Sequence, residues 1–397
     1  MALEQGVASF GNDVVKAPAV TPLYDLPDSA AAVFRLLADS GPATRPSLGS
    51  ALGLSKPTMS TAIAELVRLE LVAEQGEARG STGRSAVVYS VAPHAGHVLG
   101  VELGTTRIRV AAHSLDGTQI AIAEERLSSR RRTVTPTTVS TAHEVLHRVR
   151  GEVSDAHGPL RGVVIAAPTL PTHAPNQPRR PEGVENVVEA LELPDGVDTM
   201  LENNVNCAAL AEHRLGVARG RQSFVYLQVG VKIGAGVMVN GRLLPGARGA
   251  AGEVAMMPYP WGPGATPTRA GLEDYIGSRA LMDRVTERWP GSAGPVPRHA
   301  LALFELAAAG NKTAQGFVTE HARDIGLLVA ATLSVLDPEL IVLGGGVGQN
   351  PLVLREVRRA VHELAWDTEI CIGELADHAT LLGTVHLAIQ RALDRMV

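Results

Sequence analysis

The side chains with most to offer a partner lie together near the N-terminus: Lys56, Thr58, Ser60 and Thr61, with Ser55 just ahead of them. Short hydroxyl groups and one cation on a single helical face suit the edges of base pairs, because short side chains let a helix approach the major groove closely. Arg45, Arg79 and Arg84 surround them in sequence, and guanidinium groups suit phosphate oxygens. A second kind of chemistry is offered by three glycine-rich turns, Gly104-Thr105-Thr106, Gly230 to Gly236 and Gly344-Gly345-Gly346. Main-chain amides in such turns can cradle a phosphate, although one turn alone is a weak signal.

The elements that must position the first group are legible. Asp28 and Ser29 can cap a scaffold helix that buries Val33, Leu36 and Leu37. A second helix opens at Thr44 with Pro46 in its first turn, buries Leu48, Ala51 and Leu52, and stops at Gly53. A third begins at Ser55 as N-cap and buries Met59, Ile63, Leu66 and Val67. Its N-terminus, the end a helix-turn-helix inserts into DNA, then presents Lys56, Thr58, Ser60 and Thr61. Two strand-like runs, Leu71–Glu74 and Ala86–Val91, are joined by a loop with Gly76, Arg79, Gly80, Gly83 and Arg84, a flexible cationic wing. The same three helices and hairpin would also serve a small protein-binding or dimerisation domain.

Composition narrows the classes. A net charge of −5 argues against attachment to nucleic acid by a global field, so any DNA contact must be local. Two cysteines, Cys207 and Cys371, cannot form a disulfide framework or the usual thiolate zinc site, which fits a reduced cytoplasm. No secretory leader and no long uninterrupted apolar run is present, so neither secretion nor a membrane span is expected. The 13 histidines show no metal-ligand spacing. Arg130-Arg131-Arg132 and Arg179-Arg180 read as solvated loop charge, and Trp261 as a core or interface packing residue in preference to one stacked on a sugar face.

After His97 the pattern becomes Val-, Ile- and Gly-rich strands alternating with helices. His97–Thr106 and Phe224–Gly236, about 125 residues apart, are strand-turn units of like pattern, which suggests a duplicated α/β body with a cleft between lobes. At this point the chain resembles the ROK family of repressors and sugar kinases, over roughly Asp28 to Val397. The resemblance rests on Leu99–Thr106, Asn203–Glu212, Gly246–Glu253, Gly271–Leu281 and Val342–Gly346.

It implies an α/β fold class: an N-terminal winged helix-turn-helix on a two-lobed, actin-like sugar-kinase body. The expected divisions are a flexible tail over 1–27, the DNA-binding domain over 28–93 and the body over 97–397. Within the body, lobe one covers about 97–202 plus a C-terminal helix over 383–397, and lobe two about 203–382. The family's kinases use an Asn-Asp pair with the Asp as base, and here Asn204 stands in the Asp position. An amide cannot accept the hydroxyl proton, so kinase catalysis is not expected. Met256 replaces the family His, and Pro260–Glu273, at the family's zinc motif, lacks cysteine, so neither a metal nor a cofactor is expected. Glu102 replaces the family Asp and Val231-Lys232 the usual Thr-Gly, which makes nucleotide binding doubtful, while Lys232 could hold an anion. Asn203, Asn204, Glu253 and Glu273 remain as groups able to hydrogen-bond a sugar or sugar phosphate. Equally, Glu253 and Glu273 could simply favour helix starts, and Asn203 could close a strand end.

The expected partners are thus a double-stranded DNA operator, a sugar or sugar-phosphate effector or else a different small molecule, and further copies of the chain, as homodimer or homotetramer. The competing readings are a sugar kinase with a regulatory appendage and a DNA-bound scaffold without effector.

Overall fold

The computed structural model describes residues 23–79, 85–104, 106–127, 134–170, 180–181 and 187–397. Arg84, Thr105, Arg130–Arg132 and Arg179 lie outside these residues, as does most of the expected tail.

The head contains α1 (Asp28–Ser40), the short strand β1 (Ala43–Thr44), α2 (Arg45–Leu52), α3 (Lys56–Arg68), β2 (Val72–Arg79) and β3 (Ser85–Val91). The strands form one sheet in the order β1-β3-β2, antiparallel throughout. Helix starts and stops follow local chemistry. Thr44 accepts a hydrogen bond from Ser47 N, Ser55 accepts one from Thr58 N, and Gly53 takes the left-handed conformation that ends α2. The expected Asp28 cap is not observed. Pro27 occupies the cap position without a side-chain bond, and Asp28 lies inside the first turn, where its charge favours the dipole. Val67 and Ala51 are exposed, because the neighbouring elements cover only one edge of each helix, whereas Phe34 is fully buried.

The body repeats one sheet plan. Its first lobe carries β4 (His97–Leu103), β5 (Arg107–Ser114), β6 (Gln119–Arg126), α4 (Pro136–Glu152), β7 (Leu160–Ala167), the small hairpin β8 (Thr169–Leu170) with β9 (Arg180–Pro181), α5 (Val187–Ala190) and β10 (Asp198–Asn203). The second carries α6 (Asn204–Arg214), β11 (Phe224–Val229), β12 (Ile233–Val239), β13 (Arg242–Leu243), α7 (Gly271–Ile276), α8 (Ser278–Arg288), α9 (Ala300–Ala308), α10 (Lys312–Leu336), β14 (Leu340–Gly344), α11 (Gly345–Gly348), α12 (Pro351–Leu364) and β15 (Glu369–Ile372). A final helix, α13 (Ala379–Met396), follows. The sheets run β10-β7-β4-β5-β6 and β13-β12-β11-β14-β15. Numbered within each lobe, both have the order 3-2-1-4-5, with the second strand antiparallel to the first and the third, and the first, fourth and fifth parallel.

The chain crosses between lobes at Asn203–Asn204 and again between β15 and α13. α13 lies against β4, β5 and β7 of the first lobe, and it starts four residues earlier than the C-terminal helix expected from sequence. Its far end enters the head: Ala388, Ala392, Leu393 and Met396 share one apolar core with Phe34, Leu37, Ile63, Leu66 and Tyr89. Ahead of α1, Leu23 N and Tyr24 N donate to the Arg395 and Met396 carbonyls, and Arg161 donates to the Tyr24 hydroxyl at 3.0 Å. Residues 23–27 therefore form a tether along α13 and not part of a flexible tail.

Candidate functional site

Two surfaces collect the polar residues singled out in the sequence. On the head, Ser55, Lys56, Thr58, Ser60 and Thr61 are all exposed along the first two turns of α3, while Met59, Ala62, Ile63 and Leu66 face the core. Ser55 Oγ also lies 2.8 Å from Thr58 Oγ1, so the capping hydroxyl is engaged within the helix start. Arg45 is exposed at the first residue of α2, its guanidinium 5.0 Å from the centre of the Tyr89 ring. That stacking restrains a long side chain beside α3. Arg79 closes β2, paired with Ser85. β2 and β3 are longer than the sequence suggested, with an irregularity between Glu74 and Gly76, where Gly76 has a φ of 116° that disfavours a side chain.

The second surface is a cleft of about 150 Å³ between the lobes, where Asn203, Asn204, Glu253 and Glu273 meet Gln228, Lys232 and Met256. Each element delivers its residue by an identifiable device. Asn203 ends β10 and caps α6, its Oδ1 accepting from Val205 N at 2.8 Å. Buried Glu202 accepts from Asn203 N at 2.7 Å and from Asn206 Nδ2 at 2.9 Å, which fixes the start of α6 from behind. Gly252, with φ of 84°, lies so close to the Ala235 carbonyl that any side chain would collide with it, and this contact sets Glu253 at the wall of the cleft. Glu253 precedes a single 3-10 turn and makes no side-chain cap bond there. Glu273 lies in the first turn of α7 and accepts from Ile233 N at 3.4 Å.

Asn204 is placed differently. Its Nδ2 donates to the Leu103 carbonyl at 3.5 Å, while its Oδ1 is buried and has no hydrogen-bond partner among the described residues. A buried acceptor without a donor is costly, so a rearrangement that opens it to a hydroxyl donor would be favoured.

Beside the first glycine turn the carboxylate is already engaged. Glu102 Oε2 accepts from Arg109 Nε at 2.9 Å and Nη2 at 2.5 Å, both side chains being buried. Burial raises the Glu102 pKa, against the lowering effect of Arg109. Arg109 Nη2 also donates to the Asp377 carbonyl at 2.5 Å, and Arg107 pairs with the Asp377 carboxylate.

Sequence reasoning missed Glu212. Fully buried in α6, it accepts from Val217 N, Glu374 N and Leu375 N at 3.1, 3.3 and 3.0 Å. Two of its donors lie about 160 residues away in sequence, so no local signal marks it. Trp261, read as a core or interface packing residue, is not in the core: it is 59% exposed in the loop before α7.

The model of the ROK family matches residues 98–391, three quarters of the chain. The chain belongs to the ROK family. A model of the MarR family matches residues 24–81, the segment holding α1 to α3 and β2. Among curated proteins, a putative xylose repressor of Caldicellulosiruptor is 23% identical over 384 residues, covering 91% of this chain and 95% of its own length. A crystal structure of a ROK family transcriptional regulator, a homologue of the Escherichia coli MLC protein, superposes with a TM-score of 0.71 at 19% identity, over 92% of this chain and 96% of its own. The ROK hexokinase of Thermus thermophilus is 29% identical with a TM-score of 0.57, covering 75% of this chain and 99% of its own. The kinase thus matches the ROK body without the head, whereas the repressor and the regulator extend over both. Among the described residues, no helix is long and apolar enough to cross a membrane.

Proposed function

We infer that this ROK protein is a DNA-binding transcriptional regulator, acting as a repressor of carbohydrate-linked genes in the cytoplasm, where its DNA lies. The observation that carries the reading is the exposed polar face of α3, a capped helix N-terminus with Lys56, Thr58, Ser60 and Thr61 outward, on a head joined to a kinase-like body. Ser55, Lys56, Thr58, Ser60 and Thr61 read base edges and nearby phosphates, and Arg45, Arg79 and Arg84 hold the phosphate backbone. Two heads on a homodimer, or pairs of dimers, read half-sites about one helical turn apart.

The cleft binds a polyol of the sugar or sugar phosphate class through Asn203, Asn204, Glu253 and Glu273. Asn204 Oδ1 supports this reading, since it needs a donor such as a sugar hydroxyl. The same residue argues against phosphoryl transfer, because an amide cannot take up the hydroxyl proton. Neither a metal nor a cofactor enters this mechanism. A ligand that prefers one lobe arrangement shifts the population and with it the heads.

Selection of bound sequences from random duplexes with the purified full chain tests the head, and enrichment of a two-half-site motif is expected. If no motif emerges, the operator reading is wrong. Melting curves with a panel of pentoses, hexoses and their phosphates test the cleft, since a ligand that binds the folded state raises the melting temperature. No shift across the panel would favour a scaffold without effector. Sugar-dependent nucleotide consumption in a coupled assay would instead establish a kinase.

A further inference from the structure

The head is fastened to one lobe and touched by the other. Its apolar core is shared with α13, which lies on the first lobe's sheet. α6 lies on β11, β12 and β13 of the second lobe and packs along α13. Its N-terminus lines the cleft at Asn204, Val205 and Asn206, and its last residue, Arg214, pairs with Asp39 in the final turn of α1 and donates to the Asp39 carbonyl at 3.2 Å. One helix therefore has the cleft at one end and the reading head at the other.

The geometry between the lobes gives this helix a lever's motion. The returning crossing is gripped from both sides within four residues. Glu212 of α6 holds Glu374 N and Leu375 N for the second lobe, and Arg107 and Arg109 hold Asp377 for the first. Ala376, between the two grips, has a φ of 50°, a left-handed conformation that alanine adopts at a cost. α6 and α13 approach closely in the N-terminal half of α6, where a side chain at Gly383 would run into the Cys207 carbonyl. From Cys207 to Arg214 the helix runs about 10 Å, so a lobe rotation of about 10° pivoting there displaces the far end by about 2 Å, enough to break a hydrogen bond. The core between head and α13 is built of buried apolar side chains. The Arg214–Asp39 pair, with side chains 38% and 51% exposed, can exchange with water.

We propose that Arg214–Asp39 is a contact that reports the state of the cleft: it forms at one angle between the lobes and is lost at another, with Ala376 as the turning residue. A ligand at Asn204 then reaches the head through α6. The inference rests on the reading of cleft and head given above, but its test needs neither effector nor operator, so its failure would leave that reading standing. Coupling is reciprocal, so whatever the cleft does to the pair, the pair must do to the cleft.

Hydrogen exchange by mass spectrometry on the full-length protein provides the test. In Arg214→Ala, amide exchange is expected to rise at least threefold in the crossing at 372–378 and in the cleft strand at 230–236, with protection restored in the charge-swapped pair Arg214→Asp with Asp39→Arg. In Ala376→Gly, exchange is expected to change reciprocally at 37–41, although the substituted residue touches nothing there. Changes confined to 36–41 and 211–216 in Arg214→Ala, with the cleft unaltered, would overturn the proposal. So would a uniform rise along the whole chain, which is loss of global stability without coupling, or an Ala376→Gly protein whose head is unchanged.

Discussion

The head and the body use their polar residues in opposite ways. On α3 the informative side chains point outward, and the helix would fold as well with others in their place. In the body the informative ones point inward and are tied: Glu102 to Arg109, Glu212 to three backbone amides, Glu202 to Asn206. Asn204 Oδ1 is buried without a partner among the described residues, as are single atoms of Ser90, His113, His321 and Asp324, and of these five it is the one in the lining of the cleft. The lesson is that exposure marks a macromolecular surface, while in a cleft the mark is an unmet bond among met ones. Substitutions in the body should therefore be felt first as stability, and substitutions on the head as recognition.

The largest effect expected from this contrast is at Arg109. Arg109→Ala leaves the buried Glu102 carboxylate without its cation, and a loss of about 3–5 kcal/mol of unfolding free energy is expected in urea titration. A loss below about 1 kcal/mol would mean that the pair is not the closed unit described.

Acid comes next. Burial holds His113 and His386 down at about 4 and His321 at about 3, against 6.5 for a free histidine. Between pH 6.5 and about 4 the unfolded chain thus binds more protons than the folded one, and stability falls as pH falls through that window. Each such group is worth about 2–3 kcal/mol at the acid end. Melting temperatures at pH 7, 5.5 and 4.5 check the direction, and His321→Gln should flatten the slope.

On the head the balance reverses. Thr58→Ala with Ser60→Ala should weaken binding to the selected motif by about 1–3 kcal/mol while unfolding free energy stays within about 0.5 kcal/mol. The smallest effect is at Arg45. Arg45→Ala should lower affinity evenly for all sequences and reduce the slope of log K against log salt by about 1. Discrimination lost at Arg45, or stability lost at Thr58, would erase the distinction between the two regions.

How legible these features were in the sequence depended on the range of the interaction. The caps of α2 and α3 and the stop at Gly53 were plain, because Thr44, Ser55 and Gly53 act within a turn of themselves, whereas the expected Asp28 cap gave way to Pro27. Burial edges were less so. Periodicity gave α3 its stripe, but Val67 is exposed because no neighbour reaches that side, and Phe34 is buried because α13 arrives from the far end of the chain. The cleft residues came from resemblance to a family pattern, and the fold brings all four together. Glu212, the Glu102–Arg109 pair and the contact between Arg214 and Asp39 were invisible, since each joins segments that only the tertiary structure places side by side, or, for Arg109, depends on burial that a strand sequence does not disclose.

Gly383 has one more consequence. With no space for even a methyl group against Cys207, the register of α13 on α6 is set by an absence. In a library of every single substitution selected for regulation, position 383 should tolerate as little change as the DNA-reading residues, though it touches neither DNA nor effector. A map of mutational tolerance would then show a cold spot deep between two helices, and read without the structure it would be mistaken for a binding site.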